Sequence, residues 1–314
     1  MKQFLPILVL VCSAWSQAAG DPRPATSQTS EPASTESASP QSGSQTAGTA
    51  PTSAAPAVPA DQENARKAKA ILEQAIQALG GQNYLNLRNR EQQGRIYGFH
   101  HGRPTGAGGL FWGFFEFPDK ERVELTKERD IAELYIGNKG FELTYKGAHP
   151  LDKKEIEDYL RRRRFSIEAL LRTWVNDPSV VILSDGFAIA AQHPSQQVTL
   201  INSENESVTI YFDTDTHLPV KKSFSWRDPV DRQKNIEEEV YDDYKPVSGI
   251  MAPYSVTRFF NGDMASQRFI NTVTINQTLE EAMFDPNSGY NPNKLPAKQD
   301  KKHERQLWFA PEVR

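Results

Sequence analysis

An Asn-Gly pair between two β-rich runs, Asn261-Gly262, constrains the fold of this chain more than any other feature. Asn-Gly in this setting is the strongest short-range signal for a β-hairpin, because both central residues of a type I′ turn need a positive φ. The sequence therefore predicts a strand over residues 251–260 and a partner strand over residues 269–275. A third strand is expected to precede them and to end at Tyr244, so this region builds sheet and carries no catalytic motif.

Short β runs bounded by turn residues recur through the rest of the chain. They predict strands over residues 91–100, 110–117, 122–127, 131–136, 140–145, 180–183, 187–192, 196–202, 207–213, 217–226 and 233–244. Residues 110–117 are apolar on both faces, so both faces must be covered. An antiparallel sheet of this length usually curls. At its end, residues 279–286 are expected to form a short cap that tucks Phe284 under the sheet.

The first segment with helical spacing of apolar residues covers residues 65–79. These apolar residues recur at three- and four-residue intervals and form one stripe: Ala68, Ile71, Leu72, Ala75, Ile76 and Leu79. Gly80-Gly81 is expected to end the helix, because glycine readily adopts the left-handed conformation at the C-terminal cap.

A second helical segment interrupts the strands over residues 152–174. Asp152 and Glu155 stand in the positions of a capping box, and the run from Arg161 to Arg164 breaks the apolar stripe, so a bend is expected there. Two interpretations of the four arginines stay open: a solvated helix face and contact with anionic lipid headgroups. The sequence thus predicts an α+β fold, mainly antiparallel β, in which a curled, incomplete β-barrel has helices covering its concave face.

The two ends of the chain have the composition of segments outside the core. Residues 1–18 have the charged start, apolar run and small-x-small site of a secretory signal peptide, with cleavage expected near Ala18. Residues 19–61 are rich in Ser, Thr, Pro and Ala without an aromatic residue, which predicts a disordered linker. The folded domain is expected over residues 62–290. The polar tail over residues 291–314 ends with Trp308-Phe309 and is either disordered or a docking peptide.

Cysteine and charge content narrow the location and the function. The only cysteine, Cys12, lies inside the signal and follows Val11, where a lipoprotein signal needs a small residue. The cleaved chain would hold neither a disulfide nor a thiolate metal site, and it would have no transmembrane segment. This composition favours the periplasm or secretion. A formal net charge of −4, mixed in sign, argues against a nucleic-acid partner.

No catalytic constellation stands out in the sequence. The six histidines include no pair at the i, i+4 spacing of a zinc-protease helix, and no Gly-x-Ser-x-Gly elbow occurs. The glycine cluster over residues 106–109 lacks the Lys-Ser/Thr of a phosphate loop, and the acidic residues 237–243 lack a calcium-loop pattern. We therefore predict that the protein is not an enzyme and has no catalytic residue, metal or cofactor.

A curled sheet roofed by helices is expected to leave an apolar cavity, which suits a lipid or an acyl chain. Strand alternation gives nine candidate ligand-binding residues: Trp112, Phe114, Leu134, Ile136, Phe212, Phe224, Trp226, Val256 and Phe260. For each of them, plain core packing stays open as the alternative, since large apolar side chains are mostly core.

The order of elements resembles the outer-membrane lipoprotein-sorting protein family, the LolA-like half-barrels. The similarity rests on Ala78-Leu79-Gly80-Gly81, on the run from Tyr241 to Tyr254, and on a final strand before Phe284-Asp285-Pro286. The most specific piece has the form Asp-Tyr-x-x-Val-x-Gly-Ile-x-x-Pro. The resemblance implies an unclosed antiparallel barrel, with helices as a lid, that binds acyl chains of lipoproteins in the periplasm. Relatives with this fold include sensors in envelope-stress signalling.

These observations predict a periplasmic, non-enzymatic binding or carrier protein for a lipid or a lipoprotein acyl chain. The alternative is an envelope protein-interaction or stress-sensing module with the same fold, which would have a protein partner. A secreted hydrolase of unrecognised type is a third hypothesis, for which the sequence offers no nucleophile and base.

Overall fold

The computed structural model describes residues 59–293. The predicted signal peptide, nearly all of the predicted linker and nearly all of the predicted tail lie outside the described residues. The first helix begins at Ala60, just inside the stretch predicted to be linker.

Within residues 59–293, fourteen strands form one antiparallel sheet. In chain order they are β1 (Asn89–His100), β2 (Arg103–Pro104), β3 (Gly109–Glu116), β4 (Lys120–Leu125), β5 (Ile131–Ile136), β6 (Lys139–Thr144), β7 (Gly147–Pro150), β8 (Val181–Ala190), β9 (His193–Ile201), β10 (Ser207–Asp213), β11 (Pro219–Arg227), β12 (Lys234–Val247), β13 (Ile250–Phe260) and β14 (Asp263–Ile275). The spatial order is β7-β6-β5-β4-β3-β1-β14-β13-β12-β11-β10-β9-β8, with the short β2 paired to β1. The edges β7 and β8 do not meet, so the barrel stays open.

The predicted hairpin joins β13 to β14. Asn261 and Gly262 have φ values of 50° and 89°, and Phe260 pairs with Asp263 across the turn. β14 begins at Asp263, six residues before the predicted start, because it continues its pairing with β13 up to the turn. The central pairing of β1 with β14 then joins the two halves of the sheet.

Four α-helices lie among the described residues: α1 (Ala60–Leu79), α2 (Gln82–Leu85), α3 (Lys153–Arg164) and α4 (Ile167–Arg172). Two 3₁₀ turns, Trp174–Asn176 and Glu281–Phe284, accompany them. Every residue of the predicted α1 stripe is buried. No helix in this part of the chain has the length and apolarity needed to cross a membrane.

The helical segment predicted over residues 152–174 forms two helices, and the break lies directly after the arginine run in which a bend was expected. Asp152 precedes α3 without a side-chain capping bond. The chain bends at Phe165-Ser166, and the Ser166 hydroxyl accepts a hydrogen bond from the backbone N–H of Ala169 (3.2 Å). Capping the first turn of α4 in this way satisfies an N–H that would otherwise have no partner.

The two strands predicted over residues 180–183 and 187–192 are one strand, β8. A bulge between Ser184 and Gly186 absorbs the turn-like residues that suggested a break. The Asn64 side chain on α1 donates to the Ser184 carbonyl (2.8 Å) and accepts from the Ser184 N–H (2.8 Å), so it acts as a short piece of neighbouring strand. The short edge strand β7 also follows turn residues and was not predicted.

Both faces of β3 are covered, as expected for a strand with apolar residues on both faces. The helices pack on the concave face and form the larger core with the C-terminal half of the sheet. On the opposite face, the 3₁₀ turn Glu281–Phe284 buries Met283 and Phe284 against Phe114 and Leu134. We call this second group, with Trp112, Ile136, Phe141, Leu143, Leu279 and Tyr290 around it, the outer cluster. The architecture is the predicted open, curled sheet with helices on its concave side.

Candidate functional site

An interior cavity of about 300 Å³ lies between the concave face of the sheet and the helices. Its walls come from β1, β3, β4, β5, β11, β12, β13 and β14 and from α1, α2, α3 and α4. Ligand pockets typically measure about 300–1,000 Å³, so this cavity lies at the small end of that range. Arg90 and Ile96 both line it six residues apart on β1, which extends the cavity roughly 20 Å along the strand.

Most of the cavity wall is apolar. The two halves of the sheet both contribute, and the apolar side chains include Leu79, Leu87, Ile96, Phe111, Phe115, Val123, Leu125, Val247, Ile250, Met251, Val256 and Ile275. Ten charged side chains also line the cavity, so it is more polar than the usual small-molecule site, whose wall is apolar with a few polar groups.

The polar part of the wall begins with an ion pair between Arg90 on β1 and Glu168 on α4. The Arg90 Nη1 donates to Glu168 Oε1 at 2.5 Å. Burial alone would raise the pKa of Glu168, but the charge and hydrogen bond of Arg90, a backbone hydrogen bond and the charge of Lys222 together outweigh it, and the pKa lies below its ordinary value. The pair therefore stays ionised and ties α4 to the middle of the sheet.

A second buried charge, Lys222 on β11, lies on the same wall. Its Nζ donates to the carbonyl oxygen of Phe165 (2.8 Å) and lies 3.1 Å from Glu239 Oε2. Glu239 also accepts from the Tyr241 hydroxyl (2.6 Å). Burial raises the pKa of Glu239, but the charge of Lys222 and the Tyr241 hydrogen bond outweigh it and lower the pKa to about 2. Both charges are thus neutralised within the protein.

The arginine run at the end of α3 contacts the protein's own surface. The Arg161 guanidinium lies 4.2 Å from the centre of the Trp226 ring. Arg162 lines the cavity, and Arg163 donates to the Asp119 carbonyl (3.1 Å). Arg164, the most exposed of the four, pairs with Glu206 (3.0 Å). Most of the four arginines therefore contact other residues of the protein. Neither sequence interpretation, a solvated helix face or contact with anionic lipid headgroups, proposed such internal contacts.

The structure separates the nine predicted ligand-binding residues into three groups. Val256 lines the cavity. Four residues do not line the cavity: Phe212, Phe224, Trp226 and Phe260. Phe212 and Phe224 are core residues, and Trp226 packs against that core. The ring centres of Trp226 and Phe260 are 5.9 Å apart. The remaining four lie in the outer cluster on the other face of the sheet: Trp112, Phe114, Leu134 and Ile136.

On β3 and β5, the cavity is lined by the residues that alternate with the predicted ones. On β3 it is lined by Phe111 and Phe115, the immediate neighbours of Trp112 and Phe114. Because β3 is apolar on both faces, alternation defines two sets and does not say which one faces the helices. The charged residues Arg90 and Glu168 were missed because charged side chains are usually exposed, and nothing in the local sequence marks them as buried.

Elsewhere in the described chain, the outer cluster contains a buried ionic group of structural character. Arg122 donates to Glu124 (2.7 Å) and to the Met283 carbonyl (3.0 Å), and Arg129 pairs with the other Glu124 oxygen. No group of three or more His, Cys, Asp or Glu within residues 59–293 is arranged to hold a metal ion.

The fold and the cavity together define an open antiparallel half-barrel around an interior apolar site. No protein-family model and no curated protein matches the chain. Among solved structures, a DUF1329 family protein from Desulfovibrio piger is similar, with 10% identity, a TM-score of 0.50, and coverage of 69% of this chain and 97% of that one.

Two further solved structures carry the description that the sequence resemblance predicted. One is a LolA superfamily protein from Nitrosomonas europaea, with 13% identity, a TM-score of 0.45 and coverage of 69% of this chain and 97% of that one. The other is a domain provisionally described as an outer membrane lipoprotein-sorting protein, from Vibrio parahaemolyticus, with 11% identity, a TM-score of 0.48 and coverage of 71% and 97%. At these identities the likeness to solved structures concerns the fold alone.

Proposed function

We propose that this protein binds a lipid or a lipoprotein acyl chain in its interior cavity, without catalysis, as a binding or carrier protein of the bacterial cell envelope. The observation that carries the proposal is the apolar cavity, which extends roughly 20 Å along β1 and has walls from both halves of the sheet. Each methylene group of a chain buried there contributes about 0.8 kcal/mol. An elongated site with a largely apolar surface suits a single chain better than a bulky ring system.

The proposed location is the periplasm. It is supported by the signal-peptide pattern of residues 1–18 and by the linker composition of residues 19–61, which would tether the folded part at a distance from the processing site. A carrier of acyl chains needs such a location if its ligand moves between membranes of the envelope.

Native mass spectrometry after gentle purification, with uptake of a fluorescent fatty acid, tests the proposal. Val256→Trp adds bulk to the cavity wall and is expected to lower uptake at least fivefold. Trp112→Leu in the outer cluster is the matched control, because it lies on the other face of β3 and should leave uptake unchanged. If extraction with organic solvent removes nothing from the purified protein and no fluorescent fatty acid is taken up, the protein does not bind lipid.

The alternative function, an envelope protein-interaction module, has one observation in its favour. Phe187 and Ile189 on the edge strand β8 are 68% and 74% exposed. An edge strand with exposed apolar side chains is a template on which a strand of another protein can pair. Lipid-free protein that binds one envelope protein with defined stoichiometry, and loses it on Phe187→Lys, would favour this alternative.

A further inference from the structure

Three buried hydrogen-bond donors on the cavity wall have no hydrogen-bond partner within residues 59–293: the Tyr84 hydroxyl, the Arg90 Nε and the Tyr159 hydroxyl, which has the charged Glu121 and Arg163 beside it. The hydroxyl of Tyr84, a residue on α2 that is 4% exposed, makes no hydrogen bond to any described residue, and neither does the Nε of Arg90 on β1. Both residues line the cavity. Buried polar groups are normally hydrogen-bonded, so each such donor calls for a reason.

The Tyr84 and Arg90 donors belong to the same end of the cavity. Burial and then the charge of Glu168 raise the pKa of Tyr84, while the charges of Arg172 and Arg90 lower it, so these charged groups lie within electrostatic reach of the phenol. The cross-strand partners of Arg90 are Ile275 and Phe115, and both line the cavity beside it. An occupant that reaches this end therefore meets Tyr84 and Arg90 together.

The charge of Arg90 is already neutralised. Its Nη1 donates to Glu168 at 2.5 Å, and the two side chains are only 24% and 17% exposed. A carboxylate or phosphate placed here would gain the attraction of Arg90 and suffer the repulsion of Glu168 at close range in a poorly solvated site. An uncharged oxygen can accept from the same donors without that repulsion.

Apolar side chains lie on the cavity wall together with the charged groups Glu168 and Glu121, and these charges and that of Arg172 act on the two donors. Leu79, Leu87, Val247, Ile250 and Ile275 line the same cavity, and Ile275 is the cross-strand partner of Arg90. An oxygen acceptor that fits here must be flanked by hydrocarbon. An ester or amide carbonyl at the start of an acyl chain has both properties, whereas a sugar or a free phosphate has not.

We propose, building on the proposed function, that the Tyr84 hydroxyl and the Arg90 Nε form a subsite for the uncharged carbonyl oxygen of an ester- or amide-linked acyl chain. The rest of the chain runs along β1 toward Ile96. The subsite gives the cavity a preference for acylated molecules over free fatty acids and over plain hydrocarbon of the same length.

Tyr244 provides a matched control. It lines the same cavity, but its hydroxyl donates to the Pro219 carbonyl at 2.8 Å. Removing the Tyr244 hydroxyl breaks a bond within the protein, whereas removing the Tyr84 hydroxyl breaks none. Tyr84→Phe should therefore leave the midpoint of thermal unfolding unchanged or raise it, and Tyr244→Phe should lower it.

The experiment measures displacement of the neutral fluorescent probe N-phenyl-1-naphthylamine from the intact protein by four ligands with a twelve-carbon chain. These are methyl laurate, N-methyl lauramide, laurate and dodecane. The wild-type protein is expected to bind the ester and the amide about tenfold more tightly than dodecane, and more tightly than laurate. Tyr84→Phe should lower this preference about fivefold with dodecane binding unchanged, and Tyr244→Phe should preserve the preference.

The outcomes separate the subsite from the proposed function. If none of the four ligands displaces the probe, lipid binding itself fails. If all four bind but dodecane equals the ester, or Tyr84→Phe weakens dodecane and ester alike, the subsite is wrong while lipid binding stands. Tighter binding of laurate than of the ester would overturn the choice of an uncharged acceptor. A preference for ester over amide points to glycerolipid, and the reverse points to an N-acylated chain; either result supports the carbonyl subsite.

Discussion

Lys222 Nζ lies 3.1 Å from Glu239 Oε2, and these two residues are directly opposite each other on β11 and β12. The same ammonium group donates to the Phe165 carbonyl, at the break between α3 and α4. The ion pair therefore connects strands β11 and β12 to the break between α3 and α4, and both of its charges are buried.

Lys222→Met is expected to lower the free energy of unfolding by about 3–5 kcal/mol, because it leaves the Glu239 carboxylate buried without its cation. Urea denaturation followed by tryptophan fluorescence measures this change. The double variant Lys222→Met/Glu239→Gln should recover most of the loss, since it leaves no unpaired charge. Additive losses in the double variant would contradict a coupled pair.

Acid should weaken this link in a defined pH window. The pKa of Glu239 is about 2 in the folded protein and about 4.5 in the unfolded chain, so the folded state holds this proton less tightly. The stabilisation is fully present above pH 4.5 and is lost as the pH falls toward 2, a change on the order of 3 kcal/mol. The stability difference between wild type and Glu239→Gln should shrink across that window in urea titrations, and a constant difference would contradict the assignment.

Gly80 is expected to tolerate no side chain where α1 meets the turn between β12 and β13. Its φ is 125°, and a Cβ atom there would lie 2.4 Å from the Gly249 carbonyl oxygen. Gly80→Ala should cost at least about 3 kcal/mol of unfolding free energy, from backbone strain and the clash together.

Gly262 is the control, because its φ is 89° and no atom lies within 4 Å of the added Cβ. Gly262→Ala should cost only the backbone strain, about 1–2 kcal/mol. Equal losses for Gly80→Ala and Gly262→Ala in thermal and urea unfolding would show that the close approach of α1 to Gly249 does not matter.

Phe284→Ala should destabilise the protein and leave the cavity intact. Phe284 is buried in the outer cluster against Phe114 and Leu134, so truncation should cost about 3–5 kcal/mol. Displacement of N-phenyl-1-naphthylamine, measured at a temperature where the variant stays folded, should match that of wild type. Reduced ligand affinity in a folded variant would place the ligand on the outer face, where the predicted residues Trp112 and Ile136 lie.

Local sequence patterns gave the elements of this fold because local chemistry determines them. The Asn261-Gly262 turn depends on two adjacent residues, and the α1 stripe depends on helical periodicity alone. The break in β8 was predicted wrongly because Asn64, 120 residues earlier in the chain, supplies the hydrogen bonds of a neighbouring strand at Ser184.

The cavity was harder to derive than the fold because its residues depend on which side of the sheet the helices cover. Both faces of β3 are apolar, so Phe111 and Phe114 were equally good candidates. The interior position of Glu168 follows from the placement of α4 over Arg90, which is a long-range contact without a local signal. Val256 is the one predicted residue that lines the cavity, whereas Phe260 on the same strand does not.

The pairing of β1 with β14 has a consequence for how the chain acquires its shape. Arg90 and Ile275 are cross-strand partners although they are almost the whole folded length apart. During synthesis from the N-terminus, the backbone hydrogen-bonding groups on one edge of β1 would have no partner until β14, the last strand, had been made. Assembly should thus be slow and finish in a single late step, because the seam through the centre of the sheet closes only when both ends of the folded part are present.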